Sequence, residues 1–216
     1  MYSNRDIPFY FIGSSRGQPA RENLSIIAEM EENSVIRLSS DPSEWKSTPK
    51  EFADLMSRSK YCLCPRGDTF SSRRLFDAIA AGCIPILSRA QVTKGMVPFV
   101  NQVDYNKFAL LVHNETFTNK NRLRRLIRDI MAMPEEKYNS YREELLKASE
   151  NFVYGESYGP EMGHMKPNLK VYNHFLEDAL DSESWRCDAT PSWIHPARRV
   201  RTDIFPPTSS DAVFWS

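Results

Sequence analysis

Residues 59–87, SKYCLCPRGDTFSSRRLFDAIAAGCIPIL, constrain the fold more than any other stretch of the chain. Two short apolar runs, YCLC and IPIL, read as buried strands. Between them lies a loop of Pro, Arg, Gly, Asp and Ser, followed by a helix predicted over 72–81. Leu75, Ala78, Ile79 and Gly82 fall on one face of that helix and would pack against a sheet. Gly82 also stands where a helix C-terminus takes a left-handed residue. Strand, loop, helix and strand in this order make a crossover unit, and such units build parallel sheets.

The same alternation runs through the rest of the chain. IPFYFIG (7–13) reads as a buried strand, SSRGQPA as a loop, and RENLSIIAEMEE (21–32) as one helix with Leu24, Ile27 and Ala28 in register. SVIRL is a second strand. The next helix opens on Thr48, Pro49 and Glu51, the chemistry of an N-cap, a first-turn proline and a capping-box partner. Beyond the central unit, KFALLV (107–112) reads as a strand. Residues 121–132 and 135–152 read as two helices broken at Pro134, and 168–180 as a further helix. The expectation is an α/β fold, a Rossmann-like parallel sheet flanked by helices. Residues 1–180 form that domain, and an irregular tail, 181–216, packs back on it.

Bulk properties exclude some classes. The 216 residues carry 28 Lys and Arg against 28 Asp and Glu, so there is no basic field to attract nucleic acid. No apolar run reaches the ~18 residues of a membrane span, and no signal-like segment follows Met1. The four cysteines, Cys62, Cys64, Cys83 and Cys187, read as small buried hydrophobes, with one disulfide through Cys187 as the alternative in an oxidising compartment. Asn23-Leu24-Ser25 and Asn114-Glu115-Thr116 fit the N-glycosylation pattern, a tripeptide common by chance.

In open parallel sheets ligands bind outside the carboxyl ends of the strands, and PRGDTFSS occupies that position after YCLC. Arg74 and Asp77 are three apart and Arg73 and Asp77 four apart, so either arginine can meet the aspartate on the helix surface. One reading is a surface ion pair worth ~0.5 kcal/mol. The other is a ligand site, in which a guanidinium fork matches a phosphate and a carboxylate accepts two ribose hydroxyls. His113, His164, His174 and His195 read as structural or surface residues. The basic face of RLRRLIRD reads as solvated, and Trp185, Trp193, Phe205, Phe214 and Trp215 as a seal on the tail.

The central stretch also resembles the C-terminal half of the exostosin-type glycosyltransferases. Ser59, Lys60, Tyr61, Cys62 and Leu63, then Pro65 and Gly67, Arg74, Asp77, and Gly82 to Ile86 follow that family's signature. FYFIG with RENL, VPFVNQVDYNKFALLV and PPTSSDAVFWS are weaker echoes, so the likeness covers most of the chain and is firm between about 59 and 87.

The resemblance implies the nucleotide-sugar-binding half of a GT-B fold. It implies that Arg74 neutralises a donor diphosphate, helped by Arg16, and that Asp77 holds the ribose. Gly67, Asp68, Thr69, Ser72 and Arg73 would line the donor site. Transfer would invert the anomeric centre, from a UDP-sugar to a glycan acceptor, with no cofactor beyond the donor and no metal. No catalytic base carries over. An acceptor-binding N-terminal domain or a partner subunit would complete the cleft, and an anchored, longer protein would place it at the Golgi membrane. The alternative is a degenerate homologue that binds a nucleotide sugar without transferring it.

Overall fold

The computed structural model describes residues 5–15, 17–41, 48–66 and 73–152. The elements in chain order are β1 (Ile7–Ser14), α1 (Pro19–Glu22), α2 (Ser25–Met30), β2 (Val35–Ser39), α3 (Pro49–Ser57), β3 (Ser59–Leu63) and α4 (Arg73–Ala80). They continue with β4 (Ile84–Ser88), α5 (Arg89–Thr93), α6 (Tyr105–Phe108), β5 (Leu110–Val112), α7 (Lys120–Met131) and α8 (Glu135–Ser149). All five strands pair in parallel, in the order β2-β1-β3-β4-β5. The expected α/β sheet flanked by helices is present.

The order carries positional information. The chain steps from β1 outward to β2, then returns past β1 to lay down β3, β4 and β5 on the other side. The winding therefore reverses between β1 and β3, and in open parallel sheets the carboxyl ends of the strands at such a reversal are where ligand crevices form. Right-handed crossovers send the helices to opposite faces as the winding reverses. α2 packs against α7, while α4 and α6 pack against α8. The core runs along the sheet, with Phe9, Phe11, Ile84, Ile86 and Leu87 all at 1% exposure or less.

Local chemistry explains the boundaries. Thr48 Oγ1 accepts from the Glu51 N–H, and the Glu51 carboxylate accepts from the Thr48 N–H, so the predicted capping box opens α3. Leu75, Ala78 and Ile79 are buried as expected. After α4, the Gly82 N–H donates to the Ile79 carbonyl and the Cys83 N–H to the Ala78 carbonyl, a complete Schellman ending with Gly82 at φ +65°.

Two element expectations need correction. The single helix predicted over 21–32 is two pieces, α1 and α2. They are joined where the Ile26 and Ile27 N–H groups bond three residues back, to Asn23 and Leu24, while the Asn23 side chain reaches across to the Phe117 carbonyl. The strand predicted over 107–112 begins as a helical turn. Asp104 caps α6 by accepting from the Asn106 N–H, and Tyr105 and Phe108, three apart, are both buried by that turn. Only 110–112 remain as β5. The short α5 was not foreseen. The helix expected over 168–180 and the tail 181–216 lie outside the described residues.

The cysteine reading also changes. Cys62 in β3 and Cys83 at the start of the β4 run form a disulfide, with Cα atoms 5.7 Å apart. Neighbouring parallel strands bring them together, because the Cys62 partner in the ladder is Pro85, two residues beyond Cys83. Cys64 is the buried free thiol among the described residues, as the hydrophobe reading has it.

At the amino end of the sheet, the buried Arg5 donates to the carbonyls of Met56 (3.4 Å), Ser59 (2.5 Å) and Ala81 (2.6 Å). One guanidinium thus ties the ends of α3 and α4 to the start of β3.

Candidate functional site

The carboxyl end of β1 is where the chemistry gathers. Arg74, in the first turn of α4, extends over Gly13. Its Nη2 donates to the Ile12 carbonyl at 3.0 Å, and its guanidinium carbon lies 4.3 Å from the centroid of the Phe11 ring. Gly13 is needed for this approach, since a Cβ there would stand 2.6 Å from Nη2. Burial draws the Arg74 guanidinium below its ordinary value, and the nearby positive charge of Arg21 acts in the same direction.

Arg21 approaches from the other side. It lies in α1, directly after the first loop, and donates to the Ser14 carbonyl at 2.8 Å. Two guanidinium groups therefore meet the last carbonyls of β1, next to the point where the winding reverses. Arg21 was not among the expected site residues. Its signal was present in RENL, but its position depends on how the first loop folds back.

Asp77 behaves differently from Arg74. Its carboxylate pairs with Arg73 at 3.6 Å, through side chains 91% and 46% exposed, so the four-residue spacing wins over the three-residue one. A pair this exposed is weak and readily exchanged. Arg74, Arg73 and Asp77 are thus together on the first turns of α4, with only Arg74 turned onto β1. Arg16, Gly67, Asp68, Thr69 and Ser72 lie outside the described residues.

At the carboxyl ends of β3 and β4 a buried side chain ties the two strands together. The buried Gln91 donates to the Cys64 carbonyl at 3.3 Å and accepts from the Ser88 N–H at 2.9 Å, which couples the ends of β3 and β4. Burial pushes the Cys64 thiol up to about 12, so it stays protonated and is no nucleophile near neutral pH. His113 is exposed on the surface as expected, with Nδ1 2.8 Å from Arg122. His164, His174 and His195 and the tail aromatics lie outside the described residues. Among the described residues no group of three or more His, Cys, Asp or Glu is arranged to hold a metal.

A parallel α/β domain with cations gathered at its winding reversal belongs, as a class, with the doubly wound folds that place ligands at that crevice. Comparison with known proteins gives the family. The Exostosin GT47 domain matches residues 1–127, and the chain belongs to that family.

Among its relatives is a probable arabinosyltransferase of Arabidopsis thaliana, 26% identical over 180 residues, covering 79% of this chain and 38% of the relative. A probable glycosyltransferase of the same plant is 32% identical over 120 residues, covering 54% of this chain and 21% of its own. The Exostosin-1 homolog of Caenorhabditis elegans is 31% identical over 62 residues, covering 29% of this chain and 15% of its own. The chain spans 38% or less of the length of these three relatives.

Proposed function

We propose that this chain is the donor-binding half of an exostosin-type glycosyltransferase, equivalent to the C-terminal half of a GT-B fold. It would take a nucleoside-diphosphate sugar, with UDP as the nucleotide, and serve transfer to a glycan acceptor. The observation that carries the reading is the pair of guanidinium groups, Arg74 and Arg21, at the carboxyl end of β1 beside the winding reversal. Fixed positive charge at a ligand crevice suits a diphosphate, and it suits the leaving group even better as its charge grows. Membership of the exostosin family supports the same chemistry.

In this proposal an acceptor hydroxyl attacks the anomeric carbon in line as the bond to the diphosphate oxygen breaks, which inverts the centre. The proton of the hydroxyl passes to a base supplied from outside the described residues. Arg74 and Arg21 receive the diphosphate, with no metal in the step. Asp77 exchanges its exposed pairing with Arg73 for two ribose hydroxyls. An acceptor-binding domain or partner subunit closes the other side of the crevice. The Cys62–Cys83 disulfide supports an oxidising compartment, and the proposal places the protein in the Golgi lumen.

Thermal stabilisation by UDP, GDP and ADP tests this, on the chain and on Arg74→Ala and Asp77→Ala. Saturation at about 100 times the dissociation constant adds ~2.7 kcal/mol, a shift of roughly 5–10 °C for a chain this size. The expected result is a shift with UDP that both variants lose. A uniform absence of shift would overturn the donor site. UDP binding without transfer or hydrolysis of any UDP-sugar would select the non-catalytic homologue instead.

A further inference from the structure

The two N-glycosylation tripeptides play no part in the donor site, and the fold treats them in opposite ways. Asn23 sits between α1 and α2, half-buried, and its Nδ2 donates to the Phe117 carbonyl at 3.0 Å. A carbonyl can only accept, so this bond fixes the amide with its nitrogen facing inward. Asn114 is exposed in the turn that follows β5, where the Thr116 N–H closes back on the His113 carbonyl at 2.9 Å. Its Oδ1 accepts from the Ala90 N–H at 2.9 Å. A backbone N–H can only donate, so here the oxygen faces the protein and Nδ2 faces outward.

We propose that Asn114 carries an N-linked glycan and that Asn23 does not. The amide nitrogen Nδ2 of Asn114 attacks C1 of an oligosaccharide carried on a polyisoprenyl diphosphate. The C1–N bond forms, the C1–O bond to phosphate breaks, one amide proton is lost, and the polyisoprenyl diphosphate leaves. The host's lumenal oligosaccharide transferase performs this step on the emerging chain, and folding then decides which glycan is compatible with the native structure. At Asn114 the sugar projects from an outward-facing nitrogen while Oδ1 keeps its bond to Ala90. At Asn23 the modified nitrogen would lie against the Phe117 carbonyl, between the α1–α2 junction and the segment ahead of α7.

Two further observations fit. The Cys62–Cys83 disulfide belongs to the compartment where this modification occurs, so the inference rests on the lumenal reading above and not on the donor site. In addition, β5 is the sheet's edge strand, separated from the β1–β3 crevice by β4.

The test is to isolate the full-length protein from a eukaryotic secretory host and release its glycans with a peptide-N-glycosidase in isotopically heavy water. Peptides are then mapped under non-reducing conditions. Release converts a glycosylated asparagine to a labelled aspartate, and the expected label is at position 114 alone. Asn114→Gln should lose the corresponding mobility shift, Asn23→Gln should leave it unchanged, and Thr116→Ser, which keeps the hydroxyl, should retain it. Label at 23, or none at 114 with the disulfide formed, overturns the proposal. Absence of both glycan and disulfide overturns it together with the lumenal reading.

Discussion

Arg74 and Gly13 share one small volume at the end of β1, and this makes Gly13 a sharper probe of the site than Arg74 itself. A Cβ at 13 would lie 2.6 Å from Arg74 Nη2 and 2.9 Å from the far edge of the Phe11 ring. Both are ends of side chains that can swing away, so Gly13→Ala should fold, with a stability loss of about 1–3 kcal/mol from overpacking. The displaced guanidinium would no longer occupy the crevice. Nucleotide-induced thermal stabilisation should therefore fall much further than unliganded stability does. Equal UDP shifts in Gly13→Ala and the parent would separate Arg74 from ligand binding. The sequence showed that Arg74 and Asp77 could be neighbours, because helix spacing is local. It could not show that Arg73 would take the aspartate while Arg74 turned to Ile12. That choice depends on β1, sixty residues away in the chain.

At the scale of elements, α4 is held at both ends. Arg74 anchors its first turn to β1, and the Schellman ending and Arg5 anchor its last. The Cys62–Cys83 bond then closes the crossover covalently. Loss of this bond, as in a Cys62→Ala/Cys83→Ala double variant, should cost about 2–5 kcal/mol. Denaturant midpoints of the variant and of the reduced parent should agree, since both lack the same crosslink. A large difference would mean that packing of the sulfurs, and not the crosslink, carries the stability. The helix, its buried face and Gly82 were legible beforehand because period and end chemistry are written in adjacent residues. The disulfide was not. Its partners meet only through strand register, and from composition alone buried cysteines look the same whether paired or free. The α1–α2 break was hidden for a similar reason, since it falls where Asn23 bonds to Phe117, far along the chain.

For the molecule as a whole, the buried ionisable groups make its stability depend on alkaline pH. Burial pushes the Tyr10 phenol up to about 12 from its ordinary 10.0. The folded state therefore holds this proton where the unfolded chain has lost it. The associated stability is complete below about pH 10 and disappears as the pH climbs toward 12. Burial acts to lower the pKa of Arg5, but its guanidinium keeps its proton through this window and goes on donating to the three carbonyls. Tyr10→Phe isolates the effect of the phenol. Its unfolding free energy should decline less steeply between about pH 10 and 12 than that of the parent, as read from denaturant titrations at fixed pH. Parallel slopes would show that the phenol does not titrate as its surroundings require.

The parallel sheet also explains why the crevice was easier to foresee than its contents. Alternating periods pointed to parallel strands and to a ligand position after YCLC, while the order β2-β1-β3-β4-β5, which locates the reversal between β1 and β3, emerges only in the fold. Arg21 reaches that place only through the path of the first loop, which periodicity does not encode.

The disulfide has one more consequence, for how such a domain can diverge. Cys62 and Cys83 lie 21 positions apart and enclose both the loop after β3 and all of α4. The enclosed segment is a macrocycle, and the entropy of closing a ring grows only with the logarithm of its length, so a doubling costs about 0.6 kcal/mol. Insertions and deletions in that loop can therefore accumulate while the strand and helix that frame it remain clasped. A lineage can rewrite the loop in which the proposed donor site lies at almost no expense to the frame.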